Sequence, residues 1–267
     1  MIKKLLISGT DRRLIYCAQR LSDNFDIAVI NCVNDEISGK KSEFDGLVLP
    51  INPVPSEHEN ALAMLKKGGL IFAGRPTDEL KIIRPDAEII DYTLREDFSL
   101  LNAIPSAEGA VKIALEELDV TLNGMKILVV GCGRIGTALI EILKGFGADI
   151  TAAVRNARGG AKARILGAEP CCISNIKTNA ELVFNTAPSL IFDRELLKKF
   201  SRDTLFIDLA SNDGGIDFSA AKELGIKTIH ALGIPGKNAP VTAGKIIAET
   251  ISGIIKEREG DSGGKKI

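Results

Sequence analysis

Residues 126–143, KILVVGCGRIGTALIEIL, contain a short apolar run that is followed by three glycines and a second apolar run. The first run has the length of a buried strand, and the second repeats its apolar residues at helical spacing. Gly131, Gly133 and Gly136 fit G-x-G-x-x-G at this turn from strand to helix. The first glycine permits the turn, the second lets a pyrophosphate approach, and the third lets helix and strand pack closely. We predict a dinucleotide-binding turn; the alternative is a strand-to-helix turn without a ligand.

Composition and charge narrow the classes of function. The chain has 267 residues, 45% of them hydrophobic, which suits one large or two ordinary domains. Its 34 Lys and Arg are balanced by 35 Asp and Glu, which argues against nucleic acid or an anionic membrane as partner. No signal peptide, membrane span or CxxC pair is recognisable, and with only His58 and His230 a metal site is not expected. We expect a cytoplasmic protein with reduced thiols that binds a small molecule or another protein.

Strand and helix patterns alternate on both sides of the glycine turn. Before it, the helix candidates are RRLIYCAQRL, SEHENALAMLKKGG and IPSAEGAVKIALEELD, and the strand candidates are KKLLISG, DIAVINC, DGLVLPI, GGLIFAG and AEIIDY. After it, the strand candidates are DITAAV, ELVFNTA, TLFIDLA and KTIHALG, separated by helical stretches and followed by the helix PVTAGKIIAETISGIIKERE. This alternation is typical of parallel sheets covered by helices.

The alternation predicts an α/β fold with two doubly wound, Rossmann-like parallel-sheet domains, joined by long helices and with a cleft between them. A substrate domain is expected over residues 1–103, joined by the C-terminal helix over 241–258. The dinucleotide-binding domain is expected over 104–240, and residues 259–267 are expected to be a disordered tail.

The strand that follows the glycine motif indicates which dinucleotide is bound. NAD sites usually carry an Asp or Glu about 20 residues beyond the glycines, where it binds the ribose 2′-hydroxyl. Here the strand ends in AAVRNARGG, so Arg155, Asn156 and Arg158 stand where the acid is expected. A guanidinium can pair with a 2′-phosphate, and we therefore predict NADP. The alternative is that the arginines only solubilise a surface loop.

Three later strands end in loops with the composition of a nicotinamide pocket, FNTAPS, IDLASNDGG and ALGIPGKNAPVTAG. The carboxyl ends of parallel strands share one edge of a sheet, so the three loops favour one site, although each alone could be a plain turn. Asp208 is expected to anchor loop amides. The predicted cofactor-binding residues are Gly131, Gly133, Arg134, Ile135, Gly136, Arg155, Asn156, Arg158, Asn185, Thr186, Ala187, Pro188, Ala210 and Gly233.

Five segments, LLNAIPSAEGA, LVVGCGRIG, VFNTAPS, LFIDLASNDGG and LGIPGKNAPVTAGKI, together resemble the A-subunit family of dipicolinate synthases from endospore-forming bacteria. The resemblance covers nearly the whole chain. It implies NADP-dependent oxidation of a dihydrodipicolinate-level precursor to dipicolinic acid during sporulation. It also implies that the partner is a flavoprotein-like B subunit and that the location is the mother-cell cytoplasm. We further expect a homo-oligomer.

Such a substrate carries two carboxylates, which need donors. Ser106 is the first candidate, because it is expected at the start of the helix predicted over residues 104–119, where free amides reinforce a hydroxyl. Glu108, expected in the first turn of that helix, is a candidate acceptor for the proton lost on aromatisation. Arg95 and Ser211 are the other catalytic candidates. The alternatives are a helix cap for Ser106, a favourable helix-dipole interaction for Glu108 and a surface ion pair for Arg95.

Two other functions remain open. One is a two-domain NAD(P)-dependent hydroxyacid or amino-acid dehydrogenase, although the scarcity of histidine argues against the usual His-based acid–base machinery. The other is a non-catalytic NADPH-sensing module. It would bind the cofactor but show no substrate-dependent change in nicotinamide absorbance.

Overall fold

In a computed structural model of the chain, the structure describes residues 2–30, 43–211 and 214–263. The chain divides into two compact units: the first comprises Met1–Asn102 with Ala239–Ile267, and the second comprises Ala103–Asn238. Each unit is built on a parallel β-sheet, so the predicted class of two parallel-sheet α/β units is confirmed.

The first unit starts with alternating strands and helices. These are β1 (Lys4–Ser8), α1 (Arg12–Leu21), β2 (Asp26–Ile30), β3 (Phe44–Ile51), α2 (Glu59–Met64), β4 (Leu65–Gly74), α3 (Asp78–Ile83) and β5 (Glu88–Asp91). The strands pair in parallel in the order β2-β1-β3-β4-β5. Leu5 and Ile7 of β1 belong to one core cluster and Leu6 to another, because successive side chains of a strand point to opposite faces. The sheet is therefore covered on both faces, as expected for buried parallel strands.

The helix α4 (Glu96–Glu117) begins in the first unit and ends in the second. The second unit continues with β6 (Lys126–Val130), α5 (Arg134–Gly145), β7 (Asp149–Val154), α6 (Ala157–Ile165), β8 (Glu169–Cys172), β9 (Leu182–Asn185), α7 (Arg194–Leu197), β10 (Leu205–Asp208), α8 (Phe218–Leu224), β11 (Thr228–His230) and α9 (Ile234–Asn238). The sheet order is β11-β10-β9-β6-β7-β8. The order reverses at β6, which lies between β7 and β9, so the carboxyl end of β6 is the point where such sheets bind ligands.

The last helix, α10 (Pro240–Gly263), completes the first unit by packing on α1. Its residues Ile247, Ile251 and Ile254 are buried in the cluster that also contains the apolar face of α1. The two helices approach most closely at Gly244, where an added Cβ would overlap the carbonyl oxygen of Arg13. The helices can therefore reach this distance only with glycine at position 244.

One element boundary in the first half differs from the sequence-based prediction, and another falls outside the described residues. The helix predicted over SEHENALAMLKKGG ends at Met64, and Leu65 already belongs to β4. Leu65 pairs with Phe44 of β3, so pairing with a neighbouring strand overrides the local helical preference. The predicted strand DIAVINC includes Asn31 and Cys32, which lie outside the described residues.

The helix predicted over residues 104–119 starts earlier than predicted, at Glu96. Proline is common in the first turn of a helix, so Pro105 locally favours a helix start near residue 104. In the structure Pro105 lies inside the helix, and Glu96 and Asp97 occupy the first turn, where acidic side chains are favourable. Ser106 and Glu108 therefore lie in the interior of a helix, and the prediction that they lie at its start is wrong.

The C-terminal end and one strand also differ from the prediction. Residues 259–263, predicted to be disordered, continue α10, and the remaining part of the predicted tail lies outside the described residues. The strand β8 was not predicted, because its sequence, EPCC, is short and contains Pro170, which weakens the strand pattern.

The contact at Gly244 predicts opposite effects for two glycines of α10. We expect Gly244→Ala to destabilise the protein by about 1–3 kcal/mol, because the new methyl group overlaps the backbone of α1. Gly253→Ala is the control, since its Cβ would meet no atom within 4 Å, and alanine should stabilise the helix by up to about 1 kcal/mol. Urea unfolding of both variants measures the difference. Equal stability changes would contradict the described packing of α10 on α1.

Candidate functional site

The turn after β6 needs glycine at two of its three motif positions. Gly131 has a φ of 94°, which favours glycine, and its amide donates to the carbonyl of Ala153 at 2.9 Å. A Cβ on Gly136 would overlap the carbonyl oxygen of Gly131. The third glycine therefore lets α5 start directly against the end of β6, as the motif predicts.

Gly133 is different, because neither its backbone nor its neighbours require glycine. Its φ is −82°, and a Cβ there would meet no atom within 4 Å. Gly133 is the N-cap of α5, and no side chain caps this helix start. The starts of α1, α6, α7 and α8 are instead capped by Asp11, Asn156, Asp193 and Asp217. Open space in front of uncapped amides is what a phosphate group requires, so the turn fits a dinucleotide.

Two arginines follow β7 and lie at the start of α6, where the helix dipole is unfavourable for a positive charge. Arg155 precedes α6 and Arg158 lies in its first turn; both are exposed, and neither forms an ion pair within the described residues. The positive end of the helix dipole repels both side chains, and the first turn of α6 holds no acidic residue. Asn156 caps α6, with Oδ1 accepting from the amide of Gly159 at 2.9 Å. The two guanidinium groups are therefore free to bind an external anion.

The loop after β9 is tied to the end of β6. The amide and the hydroxyl of Thr186 both donate to the carbonyl of Val130, at 3.0 and 2.8 Å. A Cβ on Gly131 would lie 2.5 Å from the Thr186 hydroxyl, so the loop also packs against the glycine turn. Ala187 is buried and Pro188 is exposed. These bonds hold the two loops of the switch point at a defined spacing.

The ends of β9 and β10 are joined by a buried hydrogen bond from the Asn185 amide nitrogen to Asp208 Oδ1, at 2.9 Å. Asp208 also accepts from the amides of Ala210 and Gly215. The expected role of Asp208 as an anchor of loop amides is thereby confirmed. Asn185 lies at the predicted edge of the site, but its side chain has no surface accessible to solvent.

The catalytic candidates lie on different elements. Ser106 is buried within α4, whereas Glu108 is exposed on the same helix. Ser211 is half-buried in the loop after β10, and residues 212–213 lie outside the described residues. Arg95 belongs to the first unit and pairs with Glu257 at 2.6 Å and Asp97 at 3.0 Å. The hydrogen bonds to these carboxylates raise the pKa of the Arg95 guanidinium, so its geometry is that of the surface ion pair left open by the sequence.

Both histidines pack against neighbouring groups. His58 is buried in the first unit, its Nδ1 lies 2.8 Å from the hydroxyl of Ser8, and its Nε2 has no partner within the described residues. Burial lowers the pKa of His58. His230 stacks on Phe218, and its Nε2 lies 3.3 Å from the carbonyl oxygen of Ala210.

Two features of the edge were missed by the sequence-based reasoning. One is the Asn185–Asp208 pair, although each residue is a polar side chain that ends an apolar strand and the pattern could have indicated it. The other is the position of α9, which packs on α4 where a Cβ on Gly109 would overlap the side chain of Ile234. Lys112 also donates to Asn238 of α9 at 3.2 Å. No local pattern indicates this contact, because it joins residues far apart in sequence.

Neither a metal site nor a membrane-spanning helix occurs among the described residues. In that part of the chain, no three His, Cys, Asp or Glu side chains are arranged to bind a metal ion. None of the described helices combines the length and the apolar composition needed to cross a bilayer.

Comparison with known proteins adds the family context. Residues 107–214 match the family model of the NAD binding domain of D-isomer specific 2-hydroxyacid dehydrogenases. Over 97% of its length the chain is 28% identical to the A subunit of dipicolinate synthase from Bacillus subtilis (strain 168), covering 98% of that protein. The crystal structure of the dipicolinate synthase A chain from Bacillus subtilis matches with a TM-score of 0.84 and 26% identity, over 98% of each chain.

A second crystal structure, of the A subunit of dipicolinate synthase from Bacillus halodurans, matches with a TM-score of 0.84 and 25% identity, over 94% of this chain and 97% of that one. The match to the NAD binding domain includes the glycine turn, the loops after β7 and β9, and the first part of the loop after β10. Most of the second unit thus matches a nicotinamide dinucleotide-binding domain of the dehydrogenase type, which supports a nicotinamide dinucleotide as cofactor. The resemblance inferred from the sequence motifs is confirmed, and the chain is similar to the A subunit of dipicolinate synthase along nearly its whole length.

Proposed function

We propose that the chain is the NADP-dependent A subunit of a dipicolinate synthase, which oxidises a dihydrodipicolinate-level dicarboxylate to dipicolinic acid. The choice of cofactor rests on one observation: two exposed arginines, Arg155 and Arg158, lie at the positive end of α6 and form no ion pair with any described residue. The uncapped start of α5 lies at the end of the neighbouring strand. The substrate follows from the likeness to the A subunits of dipicolinate synthase from Bacillus subtilis and Bacillus halodurans.

The chemistry requires little from acid–base groups. The dihydropyridine ring loses one hydride and one proton and becomes an aromatic pyridine, so the ring itself contributes much of the driving force. NADP, when bound, accepts the hydride. The residues of this chain must then align the ring, hold its two carboxylates and exclude competing orientations.

The cofactor contacts follow the carboxyl edge of the second sheet. The glycine turn would hold the pyrophosphate, with the amides of Arg134 and Ile135 as donors. Arg155 and Arg158 would bind the 2′-phosphate, while Asn156 supports them by capping α6. The later loops, at Ala187, Pro188, Ala210 and Gly233, would contact the nicotinamide half. Asn185 and Thr186 contribute through the loop backbone, because their side chains bond to protein atoms.

Ser211 lies in the loop after β10 and is a candidate carboxylate donor, and Glu108 is exposed and can accept the proton. Ser106 lies inside α4, away from the free amides of a helix start that made it a candidate. Arg95 would have to break its ion pairs with Asp97 and Glu257 to bind substrate.

The remaining parts of the proposal concern assembly and location. The relatives are named as A subunits, which supports a partner B subunit, and the sequence resemblance implies that this partner is a flavoprotein-like chain. We also propose a homo-oligomer and action in the cytoplasm of the mother cell. The match to the 2-hydroxyacid dehydrogenase domain favours a hydroxyacid dehydrogenase as the second candidate. An NADPH sensor without turnover is the third.

Turnover distinguishes these three functions. Purified chain, with and without the B subunit, should reduce NADP in the presence of freshly generated dihydrodipicolinate, with a rise in absorbance from NADPH and accumulation of dipicolinate. Reduction of NADP by 2-hydroxy acids instead would support the second candidate. Binding of NADPH without turnover of either substrate class would support the sensor.

The two arginines predict the choice of cofactor. Replacing Arg155 and Arg158 by alanine should cost about 1.5–3 kcal/mol of NADP binding per charged hydrogen bond lost, a change of tenfold or more for each bond. NAD affinity should change little, because NAD lacks the 2′-phosphate. Arg164→Ala, at the other end of α6, is the matched control for the loss of a surface charge. Calorimetric titration of both cofactors measures the effect, and equal losses for NAD and NADP would refute the NADP assignment.

Replacement of Gly133 is expected to weaken dinucleotide binding without affecting folding. Gly133→Ala should leave the melting temperature unchanged, because its Cβ has free space, but should weaken dinucleotide binding on the order of tenfold by obstructing the pyrophosphate. Gly145→Ala, which also has free space at the far end of α5, is the control and should leave binding unchanged. Unchanged affinity in Gly133→Ala would place the pyrophosphate elsewhere.

A further inference from the structure

Two polar side chains lie completely buried at the ends of neighbouring strands. Asn185 ends β9 and Asp208 ends β10, and the two residues are direct partners in the parallel register of these strands. Each side chain has an exposed fraction of 0%. A buried carboxylate is costly unless its hydrogen bonds are satisfied, so its bonds show what it stabilises.

The bonds of the pair run almost entirely to loop backbone. The Asn185 amide group donates to the carbonyl of Ala187 at 3.0 Å and accepts from the amide of Ala187 at 3.2 Å. Asp208 accepts from the amides of Ala210, at 2.9 Å, and Gly215, at 2.7 Å. The bond between Asn185 and Asp208 therefore joins the loop after β9 to the loop after β10.

The loops also fit closely around the pair. A Cβ on Gly214 would lie 2.5 Å from Asp208 Oδ2, and Gly214 has a φ of 79°. A Cβ on Gly215 would overlap the Asn185 amide nitrogen. Since neither glycine leaves room for a side chain, Gly214 and Gly215 can occupy these positions only while the pair keeps its own position.

The opposite end of β10 provides a comparison. Thr204, which is also buried, donates from its hydroxyl to the carbonyl of Ala180 at 2.9 Å, just before the strand begins. That bond anchors the amino edge of the sheet, away from the carboxyl edge where ligands bind. The two ends of one strand therefore carry similar buried side-chain bonds, but only the pair at the carboxyl end controls the loops of the proposed site.

We propose that Asn185 and Asp208 form a positioning pair, which holds the loops after β9 and β10 at the spacing that the nicotinamide half of the cofactor requires. The inference rests on the proposed NADP-dependent function and deepens it. It assigns Asn185 a role through the backbone of both loops instead of direct contact with the cofactor. The adenosine half, which lies at β6 and β7, does not depend on the pair.

The experiment compares Asp208→Asn with Thr204→Val. In Asp208→Asn, an NH2 group replaces one carboxylate oxygen, and the volume of the side chain stays nearly constant. The side chain can then no longer accept hydrogen bonds from all three donors. Two probes are titrated in the full chain: 2′,5′-ADP for the adenosine half, and NADPH with its nicotinamide fluorescence for the other half. We expect Asp208→Asn to bind 2′,5′-ADP within about twofold of the wild type, but to bind NADPH about tenfold more weakly and without the wild-type fluorescence change. Thr204→Val should match the wild type with both probes.

A second variant, Asn185→Ala, tests the pair if Asp208→Asn does not fold. Asn185→Ala keeps the bonds of Asp208 to Ala210 and Gly215 but breaks the link to the loop after β9. It should show a smaller change in the same direction, with 2′,5′-ADP binding preserved.

Equal effects of Asp208→Asn and Thr204→Val, or wild-type NADPH fluorescence in both pair variants, would overturn the positioning role. In either case, wild-type binding of 2′,5′-ADP would leave the proposed NADP function intact. Failure of the wild-type chain to bind either probe would instead overturn the proposed function, and the positioning role with it.

Discussion

The contact between the carbonyl of Gly131 and the backbone of Gly136 is the constraint on which the second unit depends. No side chain fits at position 136, so α5 begins directly at the carboxyl end of β6. This places an uncapped helix start at the point where the strand order of the sheet reverses. The orientation of the amides, the space in front of Gly133 and the neighbouring ends of β7 and β9 all follow from that contact.

Around this contact, polar groups fix the loops at the carboxyl edge of the sheet. Thr186 ties the loop after β9 to β6, and the Asn185–Asp208 pair ties it to the loop after β10. The Asn185–Asp208 bond is buried and the Thr186 bond is partly buried. Unsatisfied partners are costly in such surroundings, so both bonds resist displacement. The two arginines of α6 act differently. They are held by no partner within the described residues and stand against the helix dipole, an arrangement that a bound anion would relieve.

Local patterns were sufficient where one short segment determines the outcome. The limits of α1 and β7 match the sequence candidates, because their periodicity and flanking residues are clear. The glycine turn could also be predicted locally, since the spacing of its glycines follows from a steric requirement. The start of α4 was missed because Pro105 favours a helix start locally, whereas the packed helix tolerates it inside. The end of α2 was missed because the pairing of Leu65 with β3 is not visible in its own segment.

The sequence by itself determined the class of the fold, the glycine turn with its cationic neighbours, and the resemblance to the A-subunit family of dipicolinate synthases. These depend on periodicity, spacing and residue type, all of which are local properties. Only the tertiary structure decided that Asn185 and Asp208 meet, that Arg95 is held by Glu257, and that Ser106 lies inside a helix. These contacts and this helix boundary depend on groups that are far apart in sequence. Such groups meet only when the strands and helices pack.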